Sequence, residues 1–226
     1  MKIVVINGSP KGKAGNTNRM AEAFLKGAEA AGAETVNILL AEKDIKHCDG
    51  CHTCWLRGPG QCVIQDDMLE VLSVLGSSNI IVFASPVYFS NISGRLKVFM
   101  DRMTMIGSPH SQSSADNGKR HMEAANITGP RLMMLSSCGN PDRCEFDVTS
   151  LWINKVSEKM KMELAGEIYA IRGKYLIDTP QELQGVVDNY IQMLEKAGGA
   201  VASDMKLSKE ARSKLEQVND RFDTIV

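Results

Sequence analysis

Hydrophobic positions along the chain change their period at regular intervals, and the changes mark out alternating strands and helices. The run KIVVI at 2–6 is short and β-branched and ends in NGSP, after which NTNRMAEAFLKGAEAAG carries apolar residues at helical spacing up to Gly32. ETVNILL (34–40) predicts a second strand, and DDMLEVLSVLGSS (66–78) a helix whose acidic first turn suits the positive end of the helix dipole. NIIVFASPVYF (79–89) is largely apolar at odd and even positions alike, the pattern of a strand buried on both faces. A helix in SGRLKVFMDRM (93–103), a strand with its exit loop in PRLMMLSSCGN (130–140) and a helix in LWINKVSEKMKM (151–162) follow. The series closes with a strand in ELAGEIYAI (163–171), a long helix in PQELQGVVDNYIQMLEKAGG (180–199) and a helical segment in the polar LSKEARSKLEQV (207–218).

Five strands alternating with helices predict an α/β fold with a doubly wound parallel sheet, because parallel neighbours need right-handed crossover helices. Ligands in such folds bind at the carboxyl ends of the strands. The expected organisation is one domain over 1–203 and a helical tail over 204–226. Two connections are too long for simple crossovers, 41–65 and the polar 104–129, and long loops in compact domains commonly wall a site.

Composition narrows the class of partner. With 226 residues, 43% of them hydrophobic, the chain can bury a sizeable core. A net charge of -1 without blocks of like charge argues against nucleic acid or an anionic membrane and for a small-molecule partner. The apolar run at the N-terminus is too short for a signal peptide, and no stretch approaches the roughly 20 apolar residues of a membrane span, so a cytoplasmic location is expected. In a reducing compartment, clustered cysteines bind metal or do redox chemistry more often than they form structural disulfides.

GSPKGKAGNTN (8–18) leaves a strand and opens a helix, so backbone N–H groups and the helix dipole make an anion site, to which Ser9, Asn16, Thr17 and Asn18 add side-chain donors. A Walker lysine and the G-x-G-x-x-G fingerprint are both missing, and neutral donors suit a monophosphate better than a metal-bridged triphosphate. SPVYFSN (85–91), at the third strand's end, offers a proline-stiffened backbone and two aromatic rings, surroundings suited to a flat heteroaromatic ring. SSCGN (136–140) is a third loop of the same kind. A phosphatase-like pairing of Cys138 with Arg143 is disfavoured, since such loops hold the arginine six positions after the cysteine and here the gap is five.

Together GSP with GNT, the cysteine segment running into CVIQDDM, SPVYFSNISGRLKVFMDRM and the terminal EKAGGAVA resemble the flavodoxin-like NAD(P)H-dependent FMN reductases, and among them the iron–sulfur flavoproteins. The resemblance implies a flavodoxin-like five-stranded sheet in the order 2-1-3-4-5. It implies FMN with its phosphate on Ser9, Lys11, Asn16, Thr17 and Asn18, its ring against Pro86, Val87, Tyr88 and Phe89, and Ser136, Cys138 and Gly139 closing the other side. Lys97, Asp101 and Arg102 match the family pattern and are read as helix packing and interface residues. A homodimer or homotetramer is implied too, with the 104–129 loop as a candidate contact.

Cys48, Cys51, Cys54 and Cys62 form C-x2-C-x2-C-x7-C, and three cysteines at successive spacings of three can wrap one face of a cubane cluster that a fourth completes. Structural zinc prefers two separated pairs. Iron–sulfur flavoproteins carry a compact motif here, implying a [4Fe–4S] cluster near the flavin. The segment resembles as well that of flavin reductases with a similar C-x-G-C-x-x-C-W and PG-x-C, which implies thiols that are free, form a labile disulfide or have lost a cluster during aerobic handling, and a C-x-x-C pair beside a flavin could act as a thiol–disulfide relay. The function implied is an FMN-dependent oxidoreductase in which NAD(P)H as co-substrate drives reduction of a quinone, flavin or similar acceptor. The alternative is an iron–sulfur flavoprotein carrying electrons without direct hydride acceptance. Flavin chemistry needs no obligatory side-chain acid or base, so no catalytic residue is named. None of the histidines at 47, 52, 110 and 121 has a compelling partner in the sequence.

Overall fold

The computed structural model describes residues 1–58, 61–107 and 129–223. The strands are β1 (Lys2–Asn7), β2 (Glu34–Leu39), β3 (Ile80–Tyr88), β4 (Asn91–Ile92), β5 (Arg131–Ser137) and β6 (Leu164–Ala170). The α-helices are α1 (Asn16–Ala30), α2 (Thr53–Arg57), α3 (Met68–Leu75), α4 (Gly94–Arg102), α5 (Asp147–Met160), α6 (Gln184–Asp204) and α7 (Lys209–Asp220).

Five strands run parallel in the order β2-β1-β3-β5-β6, which is 2-1-3-4-5 when only the parallel strands are counted, as expected. Side chains alternate across each strand, so the sheet divides the core in two. Ile3, Val5, Ile80, Val82, Ala84, Met133 and Leu135 face α1, α6 and α7. Val4, Ile6, Ile81, Phe83, Leu132 and Met134 face α3, α4 and α5. This double burial explains why β1 and β3 read as unbroken apolar runs.

Helices α1 and α6 approach until backbone meets backbone. A Cβ built on Gly198 would lie 1.8 Å from the Phe24 carbonyl oxygen, and one built on Gly27 would lie 1.7 Å from that of Glu195. Beyond Asp204, α7 is joined to the sheet edge: Asn219 accepts from the Ile171 N–H at 2.8 Å and donates to the Ile171 carbonyl at 3.2 Å, while Leu215 and Phe222 enter the α1/α6 core.

Three local features depart from the sequence expectation. The third strand turns back through the two-residue β4, pairing Tyr88 with Asn91 around Phe89 and Ser90, both at positive φ (50° and 59°). Hairpin turns with two positive φ values ordinarily carry Asn-Gly, so Phe-Ser conceals this one. The 41–65 connection contains α2, and α5 begins at Asp147, four residues before the predicted segment. Most of the expected 104–129 contact loop lies outside the described residues, as do Pro59 and Gly60 of the cysteine segment. Among the described residues no helix is long and apolar enough to cross a membrane.

Candidate functional site

The loop joining β1 to α1 is braced from below. Gly8 donates its N–H to the Ala84 carbonyl at 2.7 Å, and its own carbonyl accepts from the Ser93 hydroxyl at 2.6 Å. Ser93 also caps α4 by accepting from the Leu96 N–H. Asn7 accepts from the Ser9 N–H at 3.0 Å and donates to the Asn18 side-chain oxygen at 3.1 Å. Asn18 is fully buried: its oxygen also accepts from Asn37 at 2.9 Å, and its amide donates to the Lys13 carbonyl and to Glu22. Of the predicted phosphate donors, Asn18 therefore spends its side chain holding the loop, and the buried Ser9 hydroxyl lies under Gly15, where a Cβ would come within 2.4 Å of it.

What the loop leaves open is backbone. Helix α1 starts after Gly15 without a side-chain cap and without an acid in its first turn, and no protein acceptor meets the N–H groups of Asn16, Thr17 and Asn18 among the described residues. Unpaired N–H groups at a helix start, reinforced by the macrodipole, favour an anion. Asn16 is half-buried beside them and Lys11 is exposed at the rim.

The three predicted loops meet here. Thr17 Oγ1 lies 3.0 Å from Ser137 Oγ, tying α1 to the end of β5, and Ser136 donates to the Ser85 carbonyl at 2.7 Å, tying β5 to β3. Ser85 Oγ accepts from the Ser93 N–H at 2.8 Å. Ser85 and Ser93, which were not among the predicted site residues, complete this serine network. Their sequence signal was that Ser85 opens SPVYFSN and Ser93 follows it by two residues. Pro86 and Val87 are half-buried, whereas Tyr88 is exposed and Phe89 fully so, standing out on the β3–β4 turn. Gly139 is exposed on the opposite lip. These strand exits thus carry unpaired backbone donors at the α1 start and exposed aromatic surface on the β3–β4 turn, a set that fits FMN.

Cys138 is buried, donates to the Asn140 carbonyl at 3.2 Å, and has its thiol pKa pushed up to about 11 by burial. Arg143 turns away from it to Asp220 at 2.7 Å and the Glu216 carbonyl at 2.9 Å, so no phosphatase-like pair forms. The two hydrogen bonds from Thr53 lower the pKa of the exposed Cys51. Iodoacetamide at pH 8 should therefore alkylate Cys51 in metal-free protein while sparing Cys138, of which about one part in a thousand is thiolate. Peptide mapping that found equal rates would contradict the buried placement of Cys138.

All six cysteines are free thiols. Cys48 and Cys51 are exposed, and Cys54, on α2, and Cys62 are half-buried. Burial raises the Cys54 pKa, and the charges of Cys62, Cys48 and Cys51 add to that rise. Among the described residues no three His, Cys, Asp or Glu side chains gather as one bound metal ion requires. A cubane cluster differs in taking one thiolate at each of four irons, and four free thiols in one segment are the donor chemistry it uses. His52, in the left-handed region at φ 55°, stacks on Trp55 at 4.3 Å rather than facing an evident ligand.

The cysteine segment is anchored by the far end of α4. Trp55 Nε1 donates to the Thr104 carbonyl at 3.0 Å. Arg102 is buried against Asp66, with Nη1 donating to the Lys46 carbonyl at 3.1 Å and Nη2 lying 3.7 Å from Cys62 Sγ. Asp66 also accepts from the N–H groups of Lys46 at 2.9 Å and Met68 at 3.1 Å. Burial opposes its ionisation, but Arg102 and these N–H groups outweigh that and hold its pKa below the usual carboxylate value. Arg102 thus packs the end of α4 against both ends of the cysteine segment. Asp101 and Lys97 form an exposed pair at 2.5 Å.

The family model for NADPH-dependent FMN reductases matches residues 1–125. An iron–sulfur flavoprotein of Archaeoglobus fulgidus is 41% identical over 107 residues, 47% of this chain and 47% of its own. A putative NAD(P)H-dependent FMN-containing oxidoreductase of Bacillus subtilis is 32% identical over 103 residues, 45% of this chain and 51% of its own. The chain thus spans about half the length of the curated relatives it matches. In fold it is similar to an FMN-dependent NADH-azoreductase of Bacillus anthracis solved with FMN, with a TM-score of 0.61 at 19% identity over 89% of this chain and 99% of the other. With the matched region covering β1 through α4, including the loop before α1 and the cysteine segment, the chain belongs to the NADPH-dependent FMN reductase family.

Proposed function

We propose that the protein is an FMN-dependent oxidoreductase that takes reducing equivalents from NAD(P)H and delivers them to a quinone, a free flavin or a similar acceptor, with a [4Fe–4S] cluster on Cys48, Cys51, Cys54 and Cys62. The observation that carries the flavin part is the meeting of the unpaired N–H groups of Asn16, Thr17 and Asn18 with the exit of β5 through the Thr17–Ser137 contact and, through Ser136 and Ser85, with that of β3. Bound in this cleft, FMN would supply a ring that accepts a hydride and returns electrons singly or in pairs. The N–H groups of the α1 start would hold its phosphate, with Lys11 at the rim. Pro86, Val87 and Tyr88 offer apolar surface and backbone groups along the ring. Gly139 leaves the opposite lip open, because no other group lies within 4 Å of the position a Cβ would take there. A cluster would add one-electron transfer, and the four thiols would be its ligands.

The two candidate sites share one rigid strut. Ser93 at the start of α4 holds Gly8 of the phosphate loop, and Arg102 at its end holds the cysteine segment. Nine residues of α-helix are about 13 Å long. Such a strut would serve electron exchange between cluster and flavin whether or not the flavin accepts a hydride, so the second reading is an electron carrier that works without hydride acceptance.

Purification without oxygen, followed by assay of FMN, iron and acid-labile sulfide per chain and by mixing with NADPH or NADH, tests both parts. FMN with about four irons and rapid bleaching by a nicotinamide is the expected result. Flavin without iron would remove the cluster. Bleaching by dithionite alone would remove the hydride step and leave the carrier.

A further inference from the structure

We propose that Arg102 is a positioning residue for the cysteine segment, closing the ligand loop at both ends and donating an N–H to the Cys62 sulfur, so that it raises the reduction potential of the cluster held there. The inference rests on the cluster reading above and goes beyond it in assigning a group outside the cysteines.

Three observations carry it. Arg102 is 2% exposed on a helix that is otherwise amphipathic, and a buried arginine is rare unless it is paired. Its partners lie on both flanks of the four cysteines: the Lys46 carbonyl comes two residues before Cys48, and Asp66 four residues after Cys62. One guanidinium thus fastens the start and finish of the segment to the end of α4, with a fork geometry that lysine cannot reproduce. The third is Nη2 lying 3.7 Å from Cys62 Sγ, while the buried Nε meets no acceptor among the described residues.

The electrostatic consequence follows from charge balance. One-electron reduction adds one negative charge to a cluster and its thiolates and moves no proton of the protein. Asp66 cancels most of the long-range charge of Arg102, so what remains at Cys62 is the short-range N–H to sulfur dipole, which stabilises the more negative, reduced state. Hydrogen bonds to the sulfurs are among the main determinants of such potentials.

The test uses anaerobically purified wild type, Arg102→Lys, and the double variant Asp66→Asn/Arg102→Met, which removes both buried charges together and leaves neither stranded. FMN, iron and sulfide per chain are measured with the midpoint potential from a spectroscopically monitored redox titration. The double variant should keep FMN and reduce at an equilibrium constant about tenfold lower, a shift of about 59 mV for one electron. Arg102→Lys should keep the cluster with a smaller shift in the same direction. Loss of iron with FMN retained in the double variant also supports the clamp, because only the ligand loop has then come apart. If the double variant loses both cofactors, the direction of the Arg102→Lys shift decides. Full cluster content at wild-type potential in either variant overturns the assignment of Arg102 alone. Absence of iron from the wild type, with FMN present, overturns it together with the cluster reading.

Discussion

Gly198→Ala is expected to destabilise the protein by ~3 kcal/mol, against the gain that the same change brings in an unobstructed helix. Alanine is favoured over glycine in a helix interior by roughly 1 kcal/mol. At position 198 the new methyl would lie 1.8 Å from the Phe24 carbonyl oxygen and 2.8 Å from its carbon, and both atoms belong to a hydrogen-bonded helix that cannot turn aside as a side chain does. Helices α1 and α6 would have to separate, loosening Phe24, Ala28, Leu194 and Val201 together. Overpacking typically costs about 1–3 kcal/mol, and rigid backbone puts this case at the upper end. Gly185→Ala, in the first turn of the same helix with nothing within 4 Å of the new carbon, is the control and should be neutral or mildly stabilising. Thermal unfolding of the flavin-free proteins should show Gly198→Ala lower by roughly 6–12 °C for a chain of this size. Equal melting points for the two variants would mean that the helices do not meet as described.

Asn16→Asp separates binding from stability by moving them in opposite directions. The new carboxylate would occupy the first helical position of α1, where the macrodipole favours it, and should stabilise the flavin-free protein by a few tenths of a kcal/mol up to about 1 kcal/mol. The same charge would face the phosphate that we assign to this helix start. Two unit charges roughly 5 Å apart at an effective dielectric of about 20 repel by about 3 kcal/mol. FMN affinity should fall at least about 100-fold, since every ~1.4 kcal/mol is a factor of ten. Fluorescence titration of FMN into apoprotein gives the affinity, and a melt of the same sample gives the stability. Unchanged affinity beside raised stability would move the phosphate away from α1.

Much of the candidate site could be read from the sequence because its parts are contiguous. GSPKGKAGNTN, SPVYFSN and SSCGN each follow an apolar run, and a parallel sheet brings the ends of such runs to one edge. Roles inside those loops were less legible. Asn18 looks like Asn16 in the sequence, yet one is fully buried among Asn7, Asn37 and Glu22 while the other stays at the surface of the cleft. The Phe89–Ser90 turn lacks the Asn-Gly pair usual at two positive φ values, so its backward pairing onto β3 was hidden as well.

Periodicity is a property of neighbouring residues, which is why the sequence by itself determined the alternation of strands and helices, the doubly buried sheet and the grouping of four cysteines in one segment. Tertiary structure alone decided the contacts between distant positions. Gly27 and Gly198 become meaningful only when α1 and α6 are packed, and Asp66 and Arg102, 36 residues apart, only when α4 passes beneath the cysteine segment. In each of these cases the partner is chosen by which backbone or charge the fold brings within a few ångströms, and local pattern carries no record of that distance.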